Sequence, residues 1–227
     1  MNVKKISLIM AVAVGLASFG ARADYLSTND FAHAIKLMVN GYTGTEMLEN
    51  FPVLVRISES GIPGFLYSDL SNSKGKDIAF FDDAGNHIPS EIQTNSWKST
   101  DNESQAWVLL PQMTQGTTFF MCYNTSESGV WVTNQNPWAE YVGVWHLDES
   151  GGKQKPIYDS TTNELNGLTV NTGSPSVHSD GRIGKARYIT SSTSNNPGFD
   201  SGITIDLSDS AKKATVDGLA TEFTASF

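Results

Sequence analysis

The feature that most constrains the fold of this chain is a series of short apolar runs that end at turn signals. Within residues 34–123 apolar residues alternate with polar ones, and there is almost no sustained helical period. Val53, Val55 and Ile57, for example, are expected on one face of a strand because side chains two residues apart point the same way. Six strands are predicted, over residues 34–39, 51–57, 77–81, 87–93, 105–110 and 117–123. We therefore expect an all-β fold that begins with a β-sandwich.

A strong turn signal separates the third and fourth of these runs. The segment 82–86 reads Asp-Asp-Ala-Gly-Asn. Glycine and asparagine tolerate a positive φ, and aspartate side chains bond to nearby backbone amides. The segment therefore predicts a β-hairpin.

The first 23 residues have the three parts of a secretory signal peptide. Lys4 and Lys5 supply the positive charge, residues 6–20 are apolar, and an Ala-Arg-Ala cleavage motif ends at Ala23. The apolar part is shorter than the roughly 20 residues that a membrane-spanning helix needs. We therefore expect cleavage after Ala23 and a secreted, periplasmic or cell-surface protein whose mature chain is not inserted in a membrane.

The charge of the chain limits its partners. It has 15 basic and 24 acidic residues and a formal net charge of -9. The predicted signal peptide holds basic residues and no acid, so the mature part is more acidic still. Negative charge opposes binding to the phosphates of nucleic acids and of anionic membranes. Neutral sugars and cations remain compatible, and nucleic acid is excluded as an expected partner.

Cys122 is the only cysteine, so no disulfide can form within the chain although an exported protein would permit one. It lies in the apolar run 119–123. Two interpretations stay open: a small core residue and a reactive thiol.

Several motifs of the first half stand in an order that a known family shares. They are NFPVLV at 50–55, KDIAFFD at 76–82, IPSEI at 88–92 and AWV at 106–108. Together they resemble the family called domain of unknown function 2341, over residues 34–125. The resemblance implies that residues 24–130 form a β-sandwich. The final strand departs from the family pattern, since Cys-Tyr-Asn at 122–124 lacks the usual glycine.

A polar segment, residues 131–141, predicts a linker to a second pattern that occupies residues 142–227. Its motifs are VWHLDE at 144–149, DSTTN at 159–163, GKARY at 184–188 and EFTASF at 222–227. They resemble the N-terminal part of a LamG-like module of the concanavalin A-like jelly-roll superfamily. Because the pattern stops inside a predicted strand, we expect an incomplete jelly roll from a C-terminally truncated fragment.

No enzymatic motif is present in the sequence. The four histidines lack H-E-x-x-H spacing, and neither a G-x-S-x-G elbow nor a P-loop occurs. Glycoside hydrolases of the jelly-roll superfamily carry paired acids as E-x-D-x-E on one strand face. Asp148 and Glu149 are adjacent, so their side chains are expected on opposite faces. We expect no enzymatic activity.

Acidic and amide side chains of the second half suggest a calcium site. Asp148, Asp159, Asn163 and Asn166 offer the hard oxygens that calcium binds. The alternative is that Asp159 and Asn163 cap a turn through bonds to the backbone.

Three tryptophans are candidate ligand platforms. Trp97, Trp131 and Trp138 stand among polar residues that are typical of loops, whereas Trp145 alternates with Val144 and His146 and is expected to be buried. An exposed indole ring can hold a sugar.

These features predict a non-catalytic bacterial surface protein that binds a glycan or a surface protein through LamG-like β-sandwich loops. A second interpretation follows from the first resemblance, since that family is also known fused to components similar to the MotA, TolQ and ExbB proton channels. In that case the chain is a structural or assembly segment of a larger envelope protein, linked to a TolQ/ExbB-like transport system.

Overall fold

A computed structural model describes residues 28–98, 103–125, 136–149, 155–169, 176–178, 183, 185–188 and 203–217. Within them the chain forms antiparallel strands and one short helix, α1 (Ser210–Asp217). The predicted all-β fold is confirmed. The chain divides into two compact units, Met1–Pro137 and Trp138–Phe227. The predicted signal peptide and the motif at 222–227 lie outside the described residues.

The first unit is a β-sandwich of two antiparallel sheets. In chain order its strands are β1 (Phe31–Met38), β2 (Leu48–Ile57), β3 (Ala79–Phe81), β4 (His87–Ile88), β5 (Ser90–Ile92), β6 (Ser104–Met113) and β7 (Thr118–Thr125). One sheet has the order β1-β7-β3-β4, and the other has the order β2-β6-β5. The first and last strands of the unit therefore pair with each other.

The core lies between the inner faces of these two sheets. Val55 and Ile57 of β2 are fully buried, as are Leu37 of β1 and Phe119 of β7. This burial follows the two-residue alternation of the sequence, because only one face of each strand reaches the partner sheet. Each fully buried side chain of this size stabilises the fold by about 1.5–3 kcal/mol.

The prediction of a single strand over residues 87–93 is wrong, because the chain passes from one sheet to the other at Pro89. β4 pairs with β3 in the four-stranded sheet, whereas β5 pairs with β6 in the other. Proline has no amide hydrogen to donate to a sheet ladder. The carbonyl of Pro89 nevertheless accepts a hydrogen bond from the Leu109 amide at 2.9 Å, which holds the crossing point to β6.

The predicted hairpin at 82–86 is confirmed between β3 and β4. The Asp82 carboxylate accepts hydrogen bonds from the amides of Ala84 (2.9 Å) and Asn86 (2.7 Å). Gly85 has a φ of 82°, which is costly for residues that carry a Cβ. Side-chain capping and glycine thus fix this turn.

Cys122 is a free and fully buried cysteine on β7. It packs with Phe31, Ala79 and Phe81 in a small apolar cluster. Burial raises the pKa of its thiol to about 12, so the sulfur stays protonated near neutral pH and is a poor nucleophile. The core interpretation is confirmed.

The second unit contains two small antiparallel sheets within its described residues. Its strands are β8 (Pro156–Ile157), β9 (Gly167–Thr169), β10 (Ser176–His178), β11 (Ala186–Tyr188) and β12 (Ile203–Ile205). One sheet has the order β12-β9-β8, and the other pairs β10 with β11. The jelly-roll topology stays a prediction. Across the part of the chain that the structure describes, no helix has the length and apolar character needed to cross a membrane.

Candidate functional site

The outer face of the three-stranded sheet carries an aromatic residue. On β6 the side chains of Ala106 and Val108 belong to the core, so Trp107 between them points to the opposite face, where it is half-buried. The strand register places Leu54 of β2 and Glu91 of β5 on either side of it. We call Leu54, Trp107 and Glu91 the Trp107 row.

A second, polar row lies two residues further along the same face. The register and the adjoining β5 ladder place Arg56, Gln105 and Gln93 side by side across the sheet. The Gln93 amide donates a backbone hydrogen bond to the Gln105 carbonyl at 3.0 Å, which fixes this alignment. We call these three residues the amide row.

An ion pair borders the amide row. Arg56 Nη1 donates to Glu103 Oε1 at 2.9 Å, and Gln105 Nε2 approaches the same oxygen at 3.4 Å. The Arg56 and Glu103 side chains are 39% and 22% exposed. Such partly exposed pairs contribute about 0–1 kcal/mol to stability, so their side chains can rearrange at small cost.

The two glutamines of the amide row are buried although they stand on an outer face. Gln93 is 6% exposed and Gln105 is 2% exposed. Among the described residues, neither the Gln93 Nε2 donor nor the Gln105 Oε1 acceptor has a hydrogen-bond partner. A buried polar group without a hydrogen-bond partner costs about 1–3 kcal/mol. This cost indicates that a group outside the described contacts satisfies each of these two atoms.

Together the two rows form a surface with one aromatic ring, one carboxylate, one guanidinium and two amides. A flat apolar ring next to a few polar groups is the usual composition of a site for a small polar ligand. We call this surface the Trp107 face.

The structure buries two of the three tryptophans that the sequence singled out. Trp97 is 8% exposed and packs edge-on against Tyr67, and Trp138 is 4% exposed and packs edge-on against Tyr141. Neither ring offers the exposed face that a sugar platform needs, so we do not place the ligand on them. Trp131 lies outside the described residues.

Asp159, from the predicted calcium group, is the centre of a hydrogen-bond network. Its Oδ1 accepts the amides of Val144 and Thr161, both at 2.9 Å. Its Oδ2 accepts the Thr161 hydroxyl at 2.7 Å and the Leu165 amide at 2.9 Å. Four donors therefore already occupy the lone pairs that a calcium ion would need.

The two asparagines of that group support the same loop. Asn166 Oδ1 accepts the Asp159 amide at 2.8 Å, and Asn163 Nδ2 donates to the Val142 carbonyl at 3.0 Å. Asp148 is 7% exposed. Within the described parts of the chain no group of three or more His, Cys, Asp or Glu is placed to hold a metal. The geometry thus favours the capping alternative over the calcium site.

Calcium is therefore expected to leave the thermal stability of the mature chain unchanged. The probe is a melting curve with about 10 mM calcium, well above the dissociation constants of weak extracellular sites, against the same sample with excess EDTA. A ligand bound only by the folded state raises its stability, by about 2.7 kcal/mol at a hundred times its dissociation constant. A melting point raised by calcium but not by magnesium would restore the calcium prediction.

The residues of the Trp107 face were not recognised as a site from the sequence. The sequence identified Trp107 only as part of the AWV motif, and it did not indicate the two glutamines as candidate site residues. One signal was available, because Ala106 and Val108 share the core face of a strand and leave Trp107 on the other. The pairing of Gln93 with Gln105 depends on strand register, which the sequence leaves open.

Comparisons with known proteins return no match, neither to a family model nor to a curated protein or a solved structure. The resemblances to the domain of unknown function 2341 and to LamG-like modules therefore stay predictions.

Proposed function

We propose that this chain is a non-catalytic, exported binding protein for neutral glycans, and that the Trp107 face of its first unit is the binding surface. The observation that carries the proposal is the position of Trp107, half-buried on the outer face of a sheet with Leu54 and Glu91 beside it. The predicted signal peptide supports export. The predicted LamG-like module would accompany this surface in a longer surface protein.

The chemistry of the Trp107 face suits a sugar ring. An indole ring packs against the apolar C–H face of a pyranose, as aromatic side chains do at many interfaces. Glu91 and the amide row, which includes Arg56, supply hydrogen-bond acceptors and donors for hydroxyl groups at the edge of such a ring.

Charge favours a neutral glycan over an acidic one. The net charge of the chain is -9, and it repels polyanions at long range. Arg56 of the Trp107 face is already paired with Glu103 at its border, and Glu91 is the carboxylate of the face itself. An acidic polysaccharide would meet more negative than positive groups there.

The test is electrophoresis of the mature chain through native gels that contain hydroxyethylcellulose, xylan or galactomannan, with alginate as the acidic comparison. We expect at least one neutral polysaccharide to retard the protein and alginate to have no effect. If none of the three neutral gels retards it, the proposal fails. Recovery of the protein in envelope complexes would then favour the structural or assembly segment.

A further inference from the structure

We infer that Gln93 and Gln105 form a subsite for a single hydroxyl group of the glycan, next to the ring that packs on Trp107. This inference rests on the proposed function and adds to it the group that is recognised and the place where it binds. The register sets the two glutamines directly opposite each other, on the same face as Trp107.

The two unsatisfied atoms are complementary to a hydroxyl. Gln93 Nε2 is a donor without an acceptor, and Gln105 Oε1 is an acceptor without a donor, among the residues that the structure describes. A hydroxyl group both accepts and donates, so one hydroxyl can satisfy both amides. A carboxylate cannot donate to Gln105, and an ammonium group cannot accept from Gln93. The pair therefore selects hydroxyl groups over either kind of ion.

The spacing along β6 connects this subsite with Trp107. Gln105 and Trp107 are two residues apart on one strand, so their side chains leave the sheet about 6–7 Å from each other. A saccharide that lies along β6 can thus place one ring on Trp107 and a hydroxyl of the same or the next ring at the amide pair.

The Arg56–Glu103 ion pair must move for a hydroxyl to reach the buried amides. Glu103 Oε1 bridges Arg56 and Gln105, which places the ion pair beside the subsite. Both charged side chains keep contact with solvent, and the pair holds little free energy, so the glycan can displace it.

The experiment compares Gln93→Leu, Gln105→Leu and the double variant with the unmodified mature chain. The probe is whichever of hydroxyethylcellulose, xylan and galactomannan retards that chain. Each single substitution is expected to weaken the apparent affinity about five- to thirtyfold, because the sugar hydroxyl loses a partner. The apparent affinity of the double variant should be close to that of the single variant that binds less tightly, because both amides bind the same hydroxyl.

The matched control is Gln112→Leu, since Gln112 lies on the same strand, is exposed, and is outside the amide row. Its retardation should equal that of the unmodified chain. Melting curves separate binding from folding, because each substitution removes one buried polar atom that lacks a hydrogen-bond partner and is expected to keep or raise the melting point.

The outcomes separate this inference from the proposed function. If the unmodified chain is retarded and the glutamine variants are retarded equally, the amides bind only water and the inference is wrong while the proposed function stands. If the two single effects multiply in the double variant, the amides bind different groups and the single-hydroxyl subsite is wrong. If no neutral polysaccharide retards the unmodified chain, both proposals fail.

Discussion

The Trp107→Ala variant is expected to lose retardation by every neutral polysaccharide that binds the unmodified chain. Truncating a central aromatic residue of a binding site commonly costs about 2–4 kcal/mol, which corresponds to an affinity loss of roughly 30- to 1000-fold. The ring is half-buried on an outer face, so its removal leaves the core between the sheets intact. Gel retardation with hydroxyethylcellulose, xylan and galactomannan measures the loss.

Two control variants accompany this substitution. Trp107→Phe keeps an aromatic ring and should retain part of the affinity. Leu109→Ala shortens the next outer-face side chain of β6 and should change binding much less. Melting curves of all three variants verify folding. Retardation of a folded Trp107→Ala chain equal to that of the unmodified chain would exclude the Trp107 face as the binding surface.

The Asp159→Ala variant is expected to lose the ordered loop of the second unit. The substitution leaves the amides of Val144, Thr161 and Leu165 without their acceptor. Hydrogen bonds to a charged acceptor contribute about 1.5–3 kcal/mol each, so we expect a local destabilisation of about 3 kcal/mol or more. Hydrogen exchange resolved at these three amides measures it, and their protection should fall by roughly a hundredfold or more.

A matched control for this prediction is Asp206→Ala. Asp206 is an exposed aspartate of the same unit and accepts one backbone hydrogen bond, from the Ser208 amide at 2.9 Å. Removing the Asp206 carboxylate should leave the hydrogen-exchange protection of the Val144, Thr161 and Leu165 amides unchanged. Polysaccharide retardation should persist in both variants, because the Trp107 face belongs to the other unit. Full protection in Asp159→Ala would show that the carboxylate does not organise the loop.

The sequence predicted the sandwich well where local pattern and tertiary packing agree. Alternation located the inner face of β2, and the turn chemistry of Asp82 and Gly85 located the hairpin. It missed the change of sheet at Pro89, because the run 87–93 keeps one apolar face on both sides of the proline. Which sheet each half of the run 87–93 joins depends on its pairing with strands elsewhere in the chain.

The tryptophans show where sequence pattern was insufficient for the site. Trp97 has polar neighbours in sequence, yet in space it packs against Tyr67 and lies so close to Gly75 that a Cβ there would overlap its ring. Burial of a loop side chain is decided by such contacts, which sequence neighbours do not report. Trp107 was the reverse case, because its apolar neighbours concealed the fact that alternation turns it outward.

The pairing of β1 with β7 also has a consequence for the order of events during synthesis. Phe31 stands opposite Thr125, so the first strand of the unit lacks its neighbour until the last strand has been made. Contacts between such distant parts of a chain form slowly, since a long loop must close first. A nascent chain therefore cannot complete the four-stranded sheet until most of the unit has been made. This late pairing of β1 with β7 is compatible with export of an unfolded chain, which the predicted signal peptide would direct across a membrane.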